Sequence, residues 1–294
     1  MLMSQLISHL QQAGASVFIP DETDEGAAFG RITHLGIGAH PDDLEFMAWH
    51  PIIRCASTAE QWFAAVTCTN GQGSPRQGRF AGLDDREMVE LRRQEQRAAA
   101  RLGNYAAHVS LDHASHAIRT PPCTALRADL LAVMARCRPQ CVYTHNPLDR
   151  HDTHVAVCAA VVDAIRCLPR EQRPERLYGC EVWRSLDWHP DPSTFDVSDG
   201  QTLMARLMRQ FTSQIEGGKR YDVATLGRKR ANATWQTAHE TDQATAIEYA
   251  LDMTTLIENP GPSLREFTRD QIARFADDVD ARLARCTPPD PLIP

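Results

Sequence analysis

Short apolar runs bounded by turn residues alternate with segments of helical period over the first two thirds of the chain. Ile32 to Gly38, Trp62 to Thr69, His108 to Leu111, Gln140 to His145 and Arg176 to Trp183 read as strands. Between them, a helix is predicted from Asp84 or Asp85 to Leu102 with Gly103 as its stop, a second over Thr124 to Arg136, and a third over Val155 to Ile165, ending before Pro169. Strands alternating with helices are the pattern of βαβ units, so the expected class is α/β with a mainly parallel sheet. Further on, Leu203, Leu207, Phe211 and Ile215 trace one helix face at a spacing of four, and a basic helix is expected from about Lys219 to Thr237. A late strand is expected over Ala246 to Met253, and a charged amphipathic helix over Leu264 to Ala284. No repeat, low-complexity tract or linker interrupts this order. The chain is therefore expected to be one domain over 1–294, with a core at about 30–185 and a C-terminal extension at about 186–294.

Composition narrows the partners. A formal charge of −7 does not supply the broad basic surface that nucleic-acid binding needs, although Arg228-Lys229-Arg230 is a local basic run. No segment has the ~18 consecutive apolar residues of a spanning helix, and the N-terminus lacks a basic leader followed by an apolar stretch. A soluble, cytoplasmic protein is the expectation. Nine cysteines scattered through apolar contexts read as reduced, mostly buried thiols, and Cys137 and Cys141 have the wrong spacing for a redox CxxC. Gly36-Ile37-Gly38-Ala39-His40-Pro41 puts proline where a dinucleotide fingerprint needs its third glycine. Neither a GxxxxGK[ST] loop nor a GxSxG elbow occurs.

The chemistry concentrates where two strands end. Ala39-His40-Pro41-Asp42-Asp43 follows the first strand, and Asn146-Pro147-Leu148-Asp149-Arg150-His151-Asp152-Thr153-His154 follows the fourth. In a parallel sheet such ends converge along one edge however far apart they lie in sequence. His40, Asp43 and His154 then make a set of two imidazoles and one carboxylate that leaves a coordination position for water, and zinc is the default metal for it. Asp42 is left over as a second carboxylate, suited to move protons as a general base.

These residues resemble the LmbE-like or PIG-L deacetylases, zinc enzymes that remove acetyl groups from N-acetylglucosamine-containing substrates. The resemblance rests on Ala39-His40-Pro41-Asp42-Asp43, on His151-x-x-His154, and on Arg92-x-x-Glu95-x-x-Ala98-Ala99 ending in Leu102-Gly103, and covers about the first 170 residues. It implies a Rossmann-like three-layer sandwich, with His40, Asp43 and His154 as zinc ligands, Asp42 as general base, and His151 as the group that stabilises the oxyanion. The family usually has aspartate immediately before the final histidine, where this chain has Thr153; Asp149 or Asp152 is then the candidate to hold an imidazole in its tautomer. Arg92 matches a substrate-contacting position, although its Glu- and Arg-rich helix also has the composition of a solvated face. Lys219, Arg220 and Arg228 are candidates to meet a phosphate or carboxylate, although a basic helix on an acidic protein is usually surface; Trp183 and Trp188 are candidates to stack a sugar ring, with core packing the favoured alternative; and His239 is a candidate to reach the pocket from the C-terminal region. His34 and His50 read as structural, and His113 and His116 lie in a loop that could border the cleft, against the plainer reading that they have no role there.

The function expected is zinc-dependent hydrolysis of an N-acetyl amide, on an N-acetylated amino sugar or its conjugate, with iron as the other metal. Two alternatives stay open: a metal-dependent deacylase acting on a non-sugar amide in small-molecule biosynthesis, and a non-catalytic metal- or sugar-binding protein. The expected partner is a small N-acyl amine, and the resemblance makes a homo-oligomer plausible.

Overall fold

The computed structural model describes residues 5–258 and 261–288. Eight strands form one sheet: β1 (Ser16–Phe18), β2 (His34–Gly38), β3 (Phe63–Thr69), β4 (Ala107–His113), β5 (Cys141–His145), β6 (Arg176–Cys180), β7 (Ser193–Asp196) and β8 (Ile247–Asp252). Their order is β1-β4-β3-β2-β5-β6-β8-β7. The central run β4-β3-β2-β5-β6 is parallel, whereas β1, β8 and β7 add antiparallel edges. The sheet is mixed, and its parallel part is the part the apolar runs announced.

Both faces of the sheet's central strands are buried. Along β3, Ala64, Val66 and Cys68 join one hydrophobic core while Phe63 and Ala65 join the other, as the two-residue period of a strand requires. The chain leaves β2 toward β3 on one side and returns as β5 on the other. At such a switch point the loops after adjacent strands diverge and open a crevice at their carboxyl ends. The polar segments that follow β2 and β5 border that crevice.

The Asp85–Leu102 helix starts at a capping box: the Asp84 carboxylate accepts from Glu87 N at 2.8 Å, and the Glu87 carboxylate accepts from Asp84 N at 2.9 Å. Gly103 follows its last turn. Its buried stripe is Met88, Arg92, Glu95, Gln96, Ala99 and Ala100. Three of those six are polar or charged, which marks a helix face directed at something other than apolar core.

Several elements depart from the sequence pattern. The face traced by Leu203 to Ile215 is split between two helices, Gln201–Met208 and Thr212–Ile215, with Phe211 out of helical geometry between them. The basic helix is shorter, Tyr221–Thr234, and the last helix runs Leu264–Cys286. Strands β1 and β7 went unpredicted, as did the short helices Asp43–Met47 and Trp49–Ser57, because three to nine residues hold too little of either period. All nine cysteines are free, four of them buried and two exposed.

The C-terminal extension is fastened to the sheet through buried charge. Lys229, 1% exposed, donates to Glu248 Oε2 on β8 at 2.9 Å and lies 3.8 Å from Glu181 Oε1. The same Glu248 oxygen accepts from Trp49 N at 2.9 Å. Removing one partner from a buried ion pair leaves an uncompensated charge, at a cost of about 3–5 kcal/mol. Lys229→Ala is therefore expected to lose about 3–5 kcal/mol in urea denaturation; a loss below about 1 kcal/mol would show the pair to be incidental.

Burial also sets an acid limit. His108 donates to or accepts from Thr67 Oγ1 at 3.0 Å, and burial, with Arg97 and Arg93 nearby, lowers its pKa from 6.5 to about 3. The unfolded chain therefore binds a proton near pH 6.5 that the fold refuses until about 3, so this contribution to stability is complete above 6.5 and lost as the pH falls toward 3. Thermal melts of His108→Gln should decline less steeply between these limits than those of the parent chain; parallel declines would remove His108 as a cause.

Candidate active site

The turn after β2 is held in an unusual conformation. Asp42 has φ +96°, a region that non-glycine residues avoid at a cost of about 1–3 kcal/mol. Three contacts over-determine it. Asp42 N donates to Gln96 Oε1 at 3.0 Å, Arg92 Nη2 donates to Pro41 O, and Arg92 Nη2 lies 3.1 Å from Asp42 Oδ2. Both clamping residues come from the polar part of the buried stripe on the Asp85–Leu102 helix. Gly38 leaves room for the chain to fold back: a Cβ there would lie 3.1 Å from Asp43 Cβ and 3.2 Å from Leu44 Cγ.

Asp43 stands at the centre of the imidazoles. Its Oδ2 accepts from His40 N at 2.7 Å and lies 3.3 Å from His40 Nδ1 and 3.2 Å from His145 Nε2; its Oδ1 lies 3.4 Å from His154 Nε2. His40 Nδ1 and His154 Nε2 are 3.3 Å apart. Four donors arranged tetrahedrally at about 2.0–2.1 Å from a zinc ion lie about 3.3–3.4 Å from one another. Each pairwise distance among His40, Asp43 and His154 falls in that range, although the carboxylate meets the two rings through different oxygens, Oδ2 toward His40 and Oδ1 toward His154, so the three are candidates to hold a divalent cation.

Charge favours the same occupant. Burial pushes the Asp43 carboxyl up, but His154, His40 and His145 outweigh it and hold the pKa well below the usual carboxylate range. Burial works to deprotonate His154, yet Asp43 and Asp149 raise its pKa to about 9. His154 is thus the imidazole that takes the proton, whereas burial and the His154 charge lower the pKa values of His145 and His151 to about 4.

Neighbouring groups set the imidazole tautomers. His154 Nδ1 lies 3.5 Å from Asp149 Oδ2, which leaves Nε2 toward the shared centre. Asp149 itself accepts from His151 N at 2.9 Å and Trp183 N at 3.2 Å. Thr153 N donates to His151 Nδ1 at 3.2 Å, so the neutral ring carries its proton on Nε2. His145 Nε2 accepts from Ala39 N at 2.9 Å and has its lone pair engaged. The groupings in which three residues each bring one donor atom close to the others are His40–His151–His154 and Asp43–His145–His154, which share His154. The occupied nitrogen of His145 makes that residue the poorer ligand and a brace for the turn after β2.

Asp42 has a different environment from its neighbour. Burial pushes its pKa up, the Arg92 guanidinium pulls it back, Asp43 pushes it up again, and the result is about 6. Its carboxylate lines a cavity of about 440 Å³ whose walls include Phe46, Arg92, His151, Trp183 and Tyr221.

The structure therefore brings together His40, Asp42, Asp43, His151, His154 and Arg92, with Asp149 behind His154. Arg92 is 1% exposed, so the reading of its helix as a solvated face is corrected at this position: Asp42, Pro41 O and Glu95 absorb its charge. Asp152, the other candidate beside Asp149 to orient an imidazole, is exposed at the start of the Asp152–Cys167 helix, and the residue that stands against His154 is Asp149. Arg220 is exposed and turned onto Asp222 by two 2.9 Å hydrogen bonds, and His239 lies exposed in the segment before β8; neither lines the cavity. Lys219 Nζ sits 5.0 Å from the centre of the Trp183 ring. Trp188 packs against Phe275 instead of the cavity, and His113 is buried on Asp129 at 2.7 Å. Sequence reasoning missed Gln96, His145 and Tyr221. A polar residue four positions after Arg92 on the same buried stripe was the one available signal for Gln96.

The fold and this cluster define an α/β protein with a metal-ready site at the switch point of its sheet. Residues 35–165 match the PIG-L family, described as GlcNAc-PI de-N-acetylase, and that segment is a PIG-L (LmbE-like) domain. No curated protein sequence matches the chain significantly. The fold is shared with N,N'-diacetylchitobiose deacetylase from Pyrococcus horikoshii (17% identity, TM-score 0.60, covering 79% of this chain and 87% of that one). It is shared also with the A40926 pseudoaglycone deacetylase Dbv21 (20%, 0.54, 76% and 97%). A third similar structure is GalB, the 4-carboxy-2-hydroxymuconate hydratase from Pseudomonas putida KT2440 (16%, 0.57, 76% and 96%).

Zinc titration of metal-stripped protein should show one ion per chain, lost in His154→Ala and retained in Asp42→Asn. Equal zinc content in His154→Ala and the parent would dissolve the assigned ligand set.

Proposed function

We propose that this protein hydrolyses an N-acetyl amide, and that its substrate is an N-acetylated amino sugar or a conjugate of one. The observation that carries the proposal is the position of Asp42: a carboxylate in the cavity wall, beside the three-donor set and outside it, held by Arg92 in a strained turn. A protein that only binds metal or sugar has no use for a second, strained acid there. The PIG-L match over 35–165 supports the same reading. Two cores flanking the sheet support its description as a Rossmann-like three-layer domain to which 186–294 contributes strands and cavity walls.

His40, Asp43 and His154 would hold the cation, zinc by the chemistry of the set. When bound, such an ion polarises the acyl oxygen and makes water more acidic. Asp42 takes the proton of the attacking water and returns it to the departing amine, so one carboxylate serves both halves of the reaction. His151, with its proton held on Nε2 by the Thr153 N–H, donates to the developing oxyanion; removing such a donor costs about 10²–10³ in rate. Arg92 keeps Asp42 facing the cavity. Trp183, Phe46 and Tyr221 give the cavity an aromatic wall against which the substrate packs.

Acetate release from a panel of N-acetylated amino sugars tests the reading. The parent should turn over at least one of them and lose activity to a chelator. Asp42→Asn should fall by orders of magnitude with its zinc in place, and His151→Ala by about 10²–10³. Turnover of Asp42→Asn at the parent rate would remove the assigned base.

A further inference from the structure

We propose that the acylated amine carries an anionic group, a carboxylate or a phosphate, and that Arg228, Arg119 and Lys219 select for it. The inference rests on the deacylase reading and specifies its substrate class. Its ground is an imbalance of charge in the cavity. Two carboxylates line it, and both are engaged: Asp43 by the imidazoles and Asp42 by Arg92.

Three guanidinium groups line the same cavity. Arg92 is spent on Asp42, Glu95 and Pro41 O, but the other two are not. Arg228, on the Tyr221–Thr234 helix, is half-buried and donates through Nη1 to Val182 O, which pins the guanidinium to the wall; among the described residues its other donors have no partner. Glu181, whose carboxyl feels the Arg228 charge, is no competitor, since its oxygens are taken by Asn232 and Leu186 N with Lys229 alongside. Arg119 follows the short Ser115–Ile118 helix and has no ion-pair partner among the described residues. Lys219 does not itself line the cavity; its Nζ stands 5.0 Å from the centre of the Trp183 ring, which does, and it has no carboxylate partner among the described residues.

Unneutralised cations around one cavity, on a chain of net charge −7, make it a local well for anions. A guanidinium fixed by one backbone contact presents its remaining N–H groups in the fork that fits carboxylate and phosphate oxygens. Trp183 beside them offers an aromatic face to the body of the ligand.

Calorimetric binding to zinc-loaded Asp42→Asn, which holds the ligand without turnover, decides the matter with three probes: N-acetylglucosamine, N-acetylglucosamine 6-phosphate and N-acetylmuramic acid. Each anionic probe should bind about tenfold or more tightly than the neutral one, with the difference shrinking at high salt. The tighter of the two distinguishes phosphate from carboxylate. Adding Arg228→Gln or Arg119→Gln should erode the preference, and the triple change with Lys219→Gln should erase it. Arg119, exposed and unpartnered, keeps the test decisive should Arg228→Gln fail to fold. Equal affinities for charged and neutral probes, or a preference that survives the triple change, would overturn the inference. A parent protein that releases no acetate counts against the deacylase reading alone, because the charge preference is settled by affinity.

Discussion

The site depends on one buried carboxylate. Asp43 is 5% exposed and has imidazole nitrogens from three residues within 3.4 Å of its oxygens. An isolated ionised acid at such depth would be costly, and the His154 imidazolium together with the hydrogen bond from His40 N is what makes it tolerable. That requirement draws the ends of β2 and β5 to a single point, with His40 on one side of the crevice and His145 and His154 on the other. The brace from Ala39 N to His145 and the bond from His40 N to Asp43 follow from the same convergence.

Two adjacent acids consequently serve different ends. Asp43 is surrounded by imidazoles and stays ionised, whereas Asp42 faces the cavity with one guanidinium for a partner and titrates near 6. Pairs of titratable groups whose surroundings push their pKa values apart are the usual mark of divided chemical roles. The clamp on Asp42 extends outward: Glu95, which shares Arg92, accepts from Thr212 Oγ1, Ser213 N and Ser213 Oγ in the C-terminal extension. The extension thereby bears on the turn after β2 as well as supplying Tyr221, Thr225 and Arg228 to the cavity. Shared fold alone would not assign this activity, since deacetylases and a hydratase have the same scaffold, and the reading belongs to the residues at the switch point.

Legibility varied with how local the cause was. The helix ending at Gly103 was plain because its capping box and stop are neighbours in sequence, and β2, β3 and β5 because continuous apolar runs mark strands buried on both faces. His40, Asp42, Asp43 and His154 stood out because strand ends carry them. Arg92 was ambiguous: the same residue on the same helix is a solvated cation or a buried clamp depending on what packs against it. Arg220 and His239 show the opposite failure, since chemistry-bearing residue types were placed by composition and the fold sends them elsewhere.

By itself the sequence determined the central parallel strands, the helix that carries Arg92, and the residues at the two strand ends, because period, caps and turn residues act within a few positions. Tertiary structure alone decided that Asp43 meets His40 and His154 at 3.3–3.4 Å, one through each oxygen, that Asp42 is kept apart from them at φ +96°, and that Arg119 and Arg228 face one cavity with no carboxylate partner among the described residues. Those facts depend on which loops a switch point brings together and which carboxylates happen to lie within reach, and neither is written in the spacing of residues along the chain.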